Sequence, residues 1–253
     1  MSLVRYDIHD TTAVLTLDDP ARRNAISLAM VEEFIAALEK AEADDSVSAV
    51  VVTGAGPAFC AGAELGHLAQ ASDEGEAAAQ ALLSVYRVFL RLDACPLPTI
   101  AVVNGPAVGA GMNMALACDI RLAGESARFA TRFLALGLHP GGGHTWMLRR
   151  AAGPQAAMAA VLLGEELSGE QAARTGLAWR CVPDGQLLTE AVTLAARAAA
   201  APRDVLIQAK HSIRDMAGVA SYDDAVEREL PRQLWSAQQD EFRRRIAKLT
   251  AST

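Results

Sequence analysis

The chain has 253 residues, of which 51% are hydrophobic, enough to fill one sizeable core. Its 23 basic and 30 acidic side chains leave a formal net charge of −7, which excludes the electrostatic footprint of a nucleic-acid or anionic-membrane binder. Cys60, Cys95, Cys118 and Cys181 form no CxxC pair and have no histidine at ligand spacing, so no metal site is expected, and free thiols in a reducing cytoplasm are.

The opening stretch, VRYDIHDTTAVLTLDD, reads as two short strands across a polar turn, and it lacks the apolar core of a secretory signal. Ser27 is placed to cap a helix whose Val31, Phe34, Ile35 and Leu38 recur at helical spacing. SAVVVTG is then a wholly apolar strand, and GAGPAFCAGAEL a glycine-containing loop. Small residues in LAQASDEGEAAAQ imply a mobile flap, and a long helix should run from about Glu76 to Leu92 before CPLP closes it. TIAVVNG is a second buried strand, followed by a helix after Gly109 and by short strands in DIRLAG and ARFAT. The bilayer alternative for the apolar run around Asn113 fails on Asn104, Pro106, Asn113 and the glycines.

Beyond HPGGGHTW the chain turns helical. His144 begins a helix, Ser168 and Gln171 form a capping box, Gly176 ends that helix and LAWRCV is one last strand. Pro202 interrupts an alanine-rich helix, and Ser221 with Asp224 can start a final helix reaching about Leu249. Apolar strands alternating with helices predict an α/β core with a sheet covered on both faces.

Chemistry is sought first at the two glycine loops, FCAGAEL and PAVGAGMNM. Each puts small residues at a strand-to-helix junction, where free N–H groups and the helix dipole favour negative charge. Two such junctions at one point would make an oxyanion hole; close helix–strand packing explains either one alone. A dinucleotide site fits less well, because GAGMNM lacks a third glycine and no acidic ribose partner follows.

RRNAIS, VVVTGAGPAFCAGAEL, PTIAVVNGPAVGAGMNMALACDIRLAGESARFA, LGLHPGGG and GEELSGEQAARTGLAWRCV, in this order, resemble the crotonase, or enoyl-CoA hydratase/isomerase, superfamily over nearly the whole chain. The resemblance implies a crotonase-like α/β spiral of ββα units over residues 1–195 and a helical oligomerisation region over 196–253. It also implies a cytoplasmic homotrimer or dimer of trimers acting on acyl-CoA or enoyl-CoA, with no cofactor beyond the coenzyme A of the substrate. Its shared chemistry is a thioester enolate held by two amides, which fall here on Ala63 and Ala110, with Arg23, Ala25, Ala61 and Leu65 lining the coenzyme site.

Three customary positions for an acid hold Asn113, Phe133 and Gly141, none of which transfers a proton. The nearby proton carriers are His139 and His144, imidazole being well matched to work near neutral pH. His144 at a helix start should have a depressed pKa and act as a base; capping that helix is the alternative, and for His139 packing under its loop is. Water held by Asn113 is a further route. Glu64 is expected to be positional, Asp119 and Arg121 structural, and Trp146 and Met112 either acyl-pocket wall or core. Hydration, double-bond isomerisation and hydrolytic carbon–carbon cleavage all remain open, with a non-catalytic acyl-CoA carrier as the rival from another class.

Overall fold

The computed structural model describes residues 2–64, 66 and 76–251. Candidate Leu65 and most of the expected flap, residues 68–75, lie outside them. Tertiary contacts divide the chain into two compact units, Met1–Arg197 and Ala198–Thr253.

The first unit is the mixed α/β arrangement expected. β1 (Val4–His9) and β2 (Thr12–Leu17) form the antiparallel hairpin, and Ser27 caps α1 (Leu28–Ala43) by accepting from the Met30 amide at 3.2 Å. β3 (Ala49–Gly54) lies parallel to β2, and β4 (Thr99–Val103) parallel to β3. α2 (Glu76–Asp93) enters the sequence between these two strands. β6 (Ile120–Gly124) and β9 (Arg180–Val182) extend the same sheet, whose order is β1-β2-β3-β4-β6-β9. β3 and β4 are buried along their whole length, which is why their sequences are runs of valine and isoleucine rather than alternating patterns.

A second, three-stranded sheet carries the short β5 (Pro106–Val108), β7 (Arg128–Ala130) and β8 (Leu167–Ser168). α3 (Ala110–Ala117) leaves directly from β5, so the sheet's end and the helix's start are separated by Gly109 alone. α4 (His144–Leu162) begins after the triple glycine and is kinked at Gly153, where φ is 77° and Pro154 starts the second half. α5 (Gly169–Thr175) has the capping box of Ser168 and Gln171 in both directions, and Gly176 ends it in the left-handed conformation. α6 (Leu187–Ala196) completes the unit.

The second unit holds α7 (Arg203–Asp215), α8 (Tyr222–Ala237) and α9 (Asp240–Ala251). Pro202 stands immediately before α7, as expected for a residue that cannot continue a helix. The single final helix expected from Ser221 to Leu249 is instead two. The amides of Gln238 and Gln239 donate to Trp235 and Ser236, a three-residue tightening that ends α8, and acidic Asp240 and Glu241 then open α9. Leu230 and Leu234 are therefore on one helix, and Phe242, Ile246 and Leu249 on the next. Among the described residues no helix is long and apolar enough to cross a membrane.

Candidate active site

The site is built from the backbone outward. After a short turn at Pro20–Arg22, Arg23 and Asn24 both take left-handed φ angles of 52° and 57°. Asn24 tolerates this and converts it into a buried clamp. Its Oδ1 accepts from the Asp19 amide at 2.9 Å, while Nδ2 donates to the carbonyls of Ala55 and Ala58, each at 2.9 Å. The loop bearing FCAGA is thereby tied to the loop bearing RRNA. Sequence reasoning passed over Asn24; an asparagine amid RRNAI, where the chain must turn, was the available signal.

That tie continues in the main chain. Ala61 donates to Arg23, Ile26 to Gly62 and Glu64 to Ile26, at 2.9, 2.8 and 3.0 Å. This is a one-residue parallel bridge between Ile26 and Ala63. In an extended segment successive peptides face opposite sides, so the bonds made by Gly62 and Glu64 direct the Ala63 N–H away from Ile26. On the other loop, Ala110 is the first residue of α3, and its N–H has no acceptor within the helix; the first such bond runs from Asn113 to Gly109 at 3.0 Å. Neither the Ala63 nor the Ala110 amide has a hydrogen-bond partner among the described residues.

Glycine lets the two loops meet. A methyl group at Gly62, where φ is 102°, would stand 2.8 Å from the Val108 carbonyl oxygen and 3.7 Å from the Ala110 nitrogen. One at Gly111 would stand 2.2 Å from the Cys60 carbonyl oxygen, closer than atoms can approach. Close packing of the two loops accounts for both glycines. Both Ala63 and Ala110 line one cavity of about 840 Å³ including its open mouth, within the range of ligand clefts.

Leu82, Val85 and Tyr86 of α2 form one wall of the cavity, and Phe133, Leu136 and Leu138 another. Asn113, Phe133 and Gly141 all line it, and no aspartate or glutamate does among the described residues. Its ionisable lining groups are Tyr86, Arg132 and His139. Burial raises the Tyr86 phenol above its usual range, although the Gly142 amide bonded to it works the other way. Arg132 pairs with Glu166. Tyr86 and Arg132 were not anticipated, although Leu82, Val85, Tyr86 and Phe89 show the spacing of one helix face.

The two histidines separate. His139 is exposed and lines the cavity, so the alternative of packing under its loop fails. His144 is 1% exposed, is not among the cavity's lining residues and makes no helix-capping bond. Its Nδ1 lies 2.7 Å from Asn113 Oδ1, and Asn113 Nδ2 donates to the Gly141 carbonyl at 3.0 Å. Because that carbonyl only accepts, the amide orientation is determined, and Nδ1 of His144 must carry the proton. Nε2 is then a bare acceptor, buried without a partner among the described residues, with the ring set edge-on to Phe133 at 5.0 Å. The depressed pKa expected of His144 is present, at about 4 against the usual 6.5, and burial rather than the helix dipole is its cause. As a base acting directly on a ligand His144 is misplaced: it supports Asn113 from behind.

The remaining candidates fall as follows. Arg23 is exposed at the loop that its carbonyl joins to Ala61, Ala25 is half-buried beside it, and Ala61 lines the cavity. Glu64 pairs with Arg22 at 2.9 Å. The Asp119 carboxylate accepts from the Thr99 amide at 2.8 Å, and Arg121 donates to the carbonyls of Leu177 and Cys118, which are structural roles. Met112 is core, whereas Trp146 is 64% exposed under the Arg150 guanidinium.

This α/β spiral with paired glycine loops defines a class. The sequence profile of the enoyl-CoA hydratase/isomerase family matches residues 7–246, and the chain belongs to that family. A probable enoyl-CoA hydratase of Mycobacterium tuberculosis is 48% identical over 250 residues, covering 97% of this chain and 95% of the relative. The 1,2-epoxyphenylacetyl-CoA isomerase of Escherichia coli is 38% identical over 206 residues, 80% of this chain and 78% of that protein. Among solved structures, a probable enoyl-CoA hydratase/isomerase from Mycobacterium abscessus superposes with a TM-score of 0.89 at 31% identity, covering 99% of this chain and 97% of the other.

The buried His144 has a measurable consequence. Its folded-state pKa of about 4 lies below the ordinary 6.5, so between these values the unfolded chain binds more protons and stability falls as pH drops. The full loss is about 3 kcal/mol at roughly 1.4 kcal/mol per pKa unit. Denaturant titrations at about pH 7 and pH 4.5 should show the native protein losing more stability than His144→Gln. Parallel losses in the two proteins would contradict this placement of the ring.

Proposed function

We propose that the protein transforms a coenzyme A thioester through an enolate whose oxygen is held by the amides of Ala63 and Ala110. The observation that carries this reading is that Ala63 and Ala110 line one cavity and that their N–H groups have no partner among the described residues. Donors placed in advance of reaction stabilise developing charge without having to reorganise, which makes such pairs effective in catalysis. Arg23, Ala25 and Ala61 stand beside this point and are assigned to the coenzyme A portion of the substrate.

Double-bond migration is the favoured reaction. Hydration in this family employs two carboxylates, and here the corresponding positions are Asn113 and Phe133, in a cavity whose described lining has no carboxylate. Migration needs one proton carrier, removing a proton at one carbon and returning it at another. The buried thiols Cys60, Cys95 and Cys118 fit a reducing cytoplasm.

The protein is further proposed to assemble as a homotrimer or dimer of trimers. Leu230 and Leu234 on α8, and Phe242, Ile246 and Leu249 on α9, are exposed large apolar residues in the helical unit, and a second copy is their assigned partner. Light scattering should give a multiple of the 26.6 kDa chain mass; a monomer would refute assembly.

Ala110→Pro deletes one of the two donors. Loss of such a donor typically costs about 10²–10³ in kcat, and isomerisation of a 3-enoyl-CoA should fall by that factor while circular dichroism stays unchanged. A folded variant with full turnover would remove Ala110 from the mechanism. Micromolar binding of a panel of enoyl-CoA thioesters without any turnover would instead identify an acyl-CoA carrier.

A further inference from the structure

The enolate reading leaves the proton without a carrier, and the three customary acid positions are filled by groups that cannot serve. Resting on that reading, we propose that His139 is the catalytic base, taking a proton from the acyl carbon next to the thioester through Nε2 and returning it two carbons further along the chain.

The loop geometry selects both the residue and the atom. His139 lines the same cavity as Ala63 and Ala110 and is exposed, so its imidazole is open to a bound ligand. Its Nδ1 lies 2.7 Å from the carbonyl oxygen of Pro140. A carbonyl oxygen can only accept, so Nδ1 carries the hydrogen of the neutral ring and Nε2 is the basic nitrogen. Pro140 is buried, and its ring restricts the backbone that holds this bond.

The other ionisable groups on the cavity wall are unsuited to the task. Tyr86 is held as a neutral phenol by burial, with its oxygen already accepting from the Gly142 amide. Arg132 is a cation paired with Glu166. His144 stands behind Asn113, its Nδ1 engaged and its ring 1% exposed. Asn113, bonded to His144 and Gly141, is locked as wall rather than as acid.

The step balances on a 3-enoyl thioester. The carbon–hydrogen bond at the α carbon breaks, its electron pair moves toward the thioester oxygen between the Ala63 and Ala110 amides, and the proton resides on His139. When the oxygen's charge returns, the pair of the original double bond takes that proton at the γ carbon. The double bond then lies between the α and β carbons, His139 is neutral again, and neither water nor an electron acceptor is consumed.

The test follows two signals: isomerisation of 3-hexenoyl-CoA, and exchange of the α protons of butyryl-CoA with deuterated water, read by proton NMR. His139→Gln should lose on the order of 10²–10⁴ in both rates, with butyryl-CoA affinity within about threefold of the native value. In His139→Ala, added imidazole should restore part of the rate, a rescue that a merely structural role would not show. Near-native exchange in His139→Gln, with exchange abolished in Ala110→Pro, would overturn the assignment of His139 and leave the enolate standing. A loss in Tyr86→Phe as large as that in His139→Gln would also overturn it. Absence of both signals in the native protein would remove the enolate reading, and His139 with it.

Discussion

The structure of the site depends on one close approach: two main-chain loops in contact at Gly62 and Gly111, where any side chain would collide with a carbonyl of the facing loop. This contact sets the Ala63 peptide beside the start of α3. The loops also bond to each other, the Cys60 amide to Pro106 and the Val108 amide to Cys60, while the first bonds in addition to the segment 23–26 and the second to β7 and to its own helix. Among the described residues the Ala63 and Ala110 N–H groups have no partner, and both residues line a shared cavity. An unsatisfied amide is ordinarily a cost when buried. Beside an open cavity, a ligand oxygen can be that partner.

Asn24 is the counterpart of this contact on the far side of the first loop. Its amide bridges the Asp19 turn and the carbonyls at Ala55 and Ala58, and the adjacent strand end is held by Asn104, which accepts from Gly54 and donates to Gly56. Side-chain amides are suited to this because they donate and accept at once. The geometry of the two loops therefore rests on buried polar clamps and absent side chains as much as on apolar packing.

Much of this was legible in the chain. The buried strands, the caps at Ser27 and Ser168 and the stop at Gly176 follow from local chemistry, and each is present. The last helix was misread because periodicity across Gln238 and Gln239 continues in phase, while the break is made by carbonyls that tighten to the third residue. From the sequence His144 was preferred to His139, and with only four residues of a glycine-rich loop between them the order is reversed by burial, which no local pattern encodes. His144 turned inward against Asn113 and Phe133; His139 stayed at the surface of the cavity. Tyr86 was invisible because nothing local links α2 to the GGG segment, whose Gly142 amide holds its hydroxyl.

The central claim, that the Ala63 and Ala110 amides polarise a thioester, is most directly tested on the ligand itself. Infrared difference spectroscopy of bound butyryl-CoA carrying a ¹³C label at the thioester carbonyl isolates that bond from the protein background. The account predicts a carbonyl stretch at lower frequency than in free butyryl-CoA, with the shift diminished in a folded Ala110→Pro variant. A bound carbonyl at the solution frequency, in a protein saturated with ligand, would contradict it.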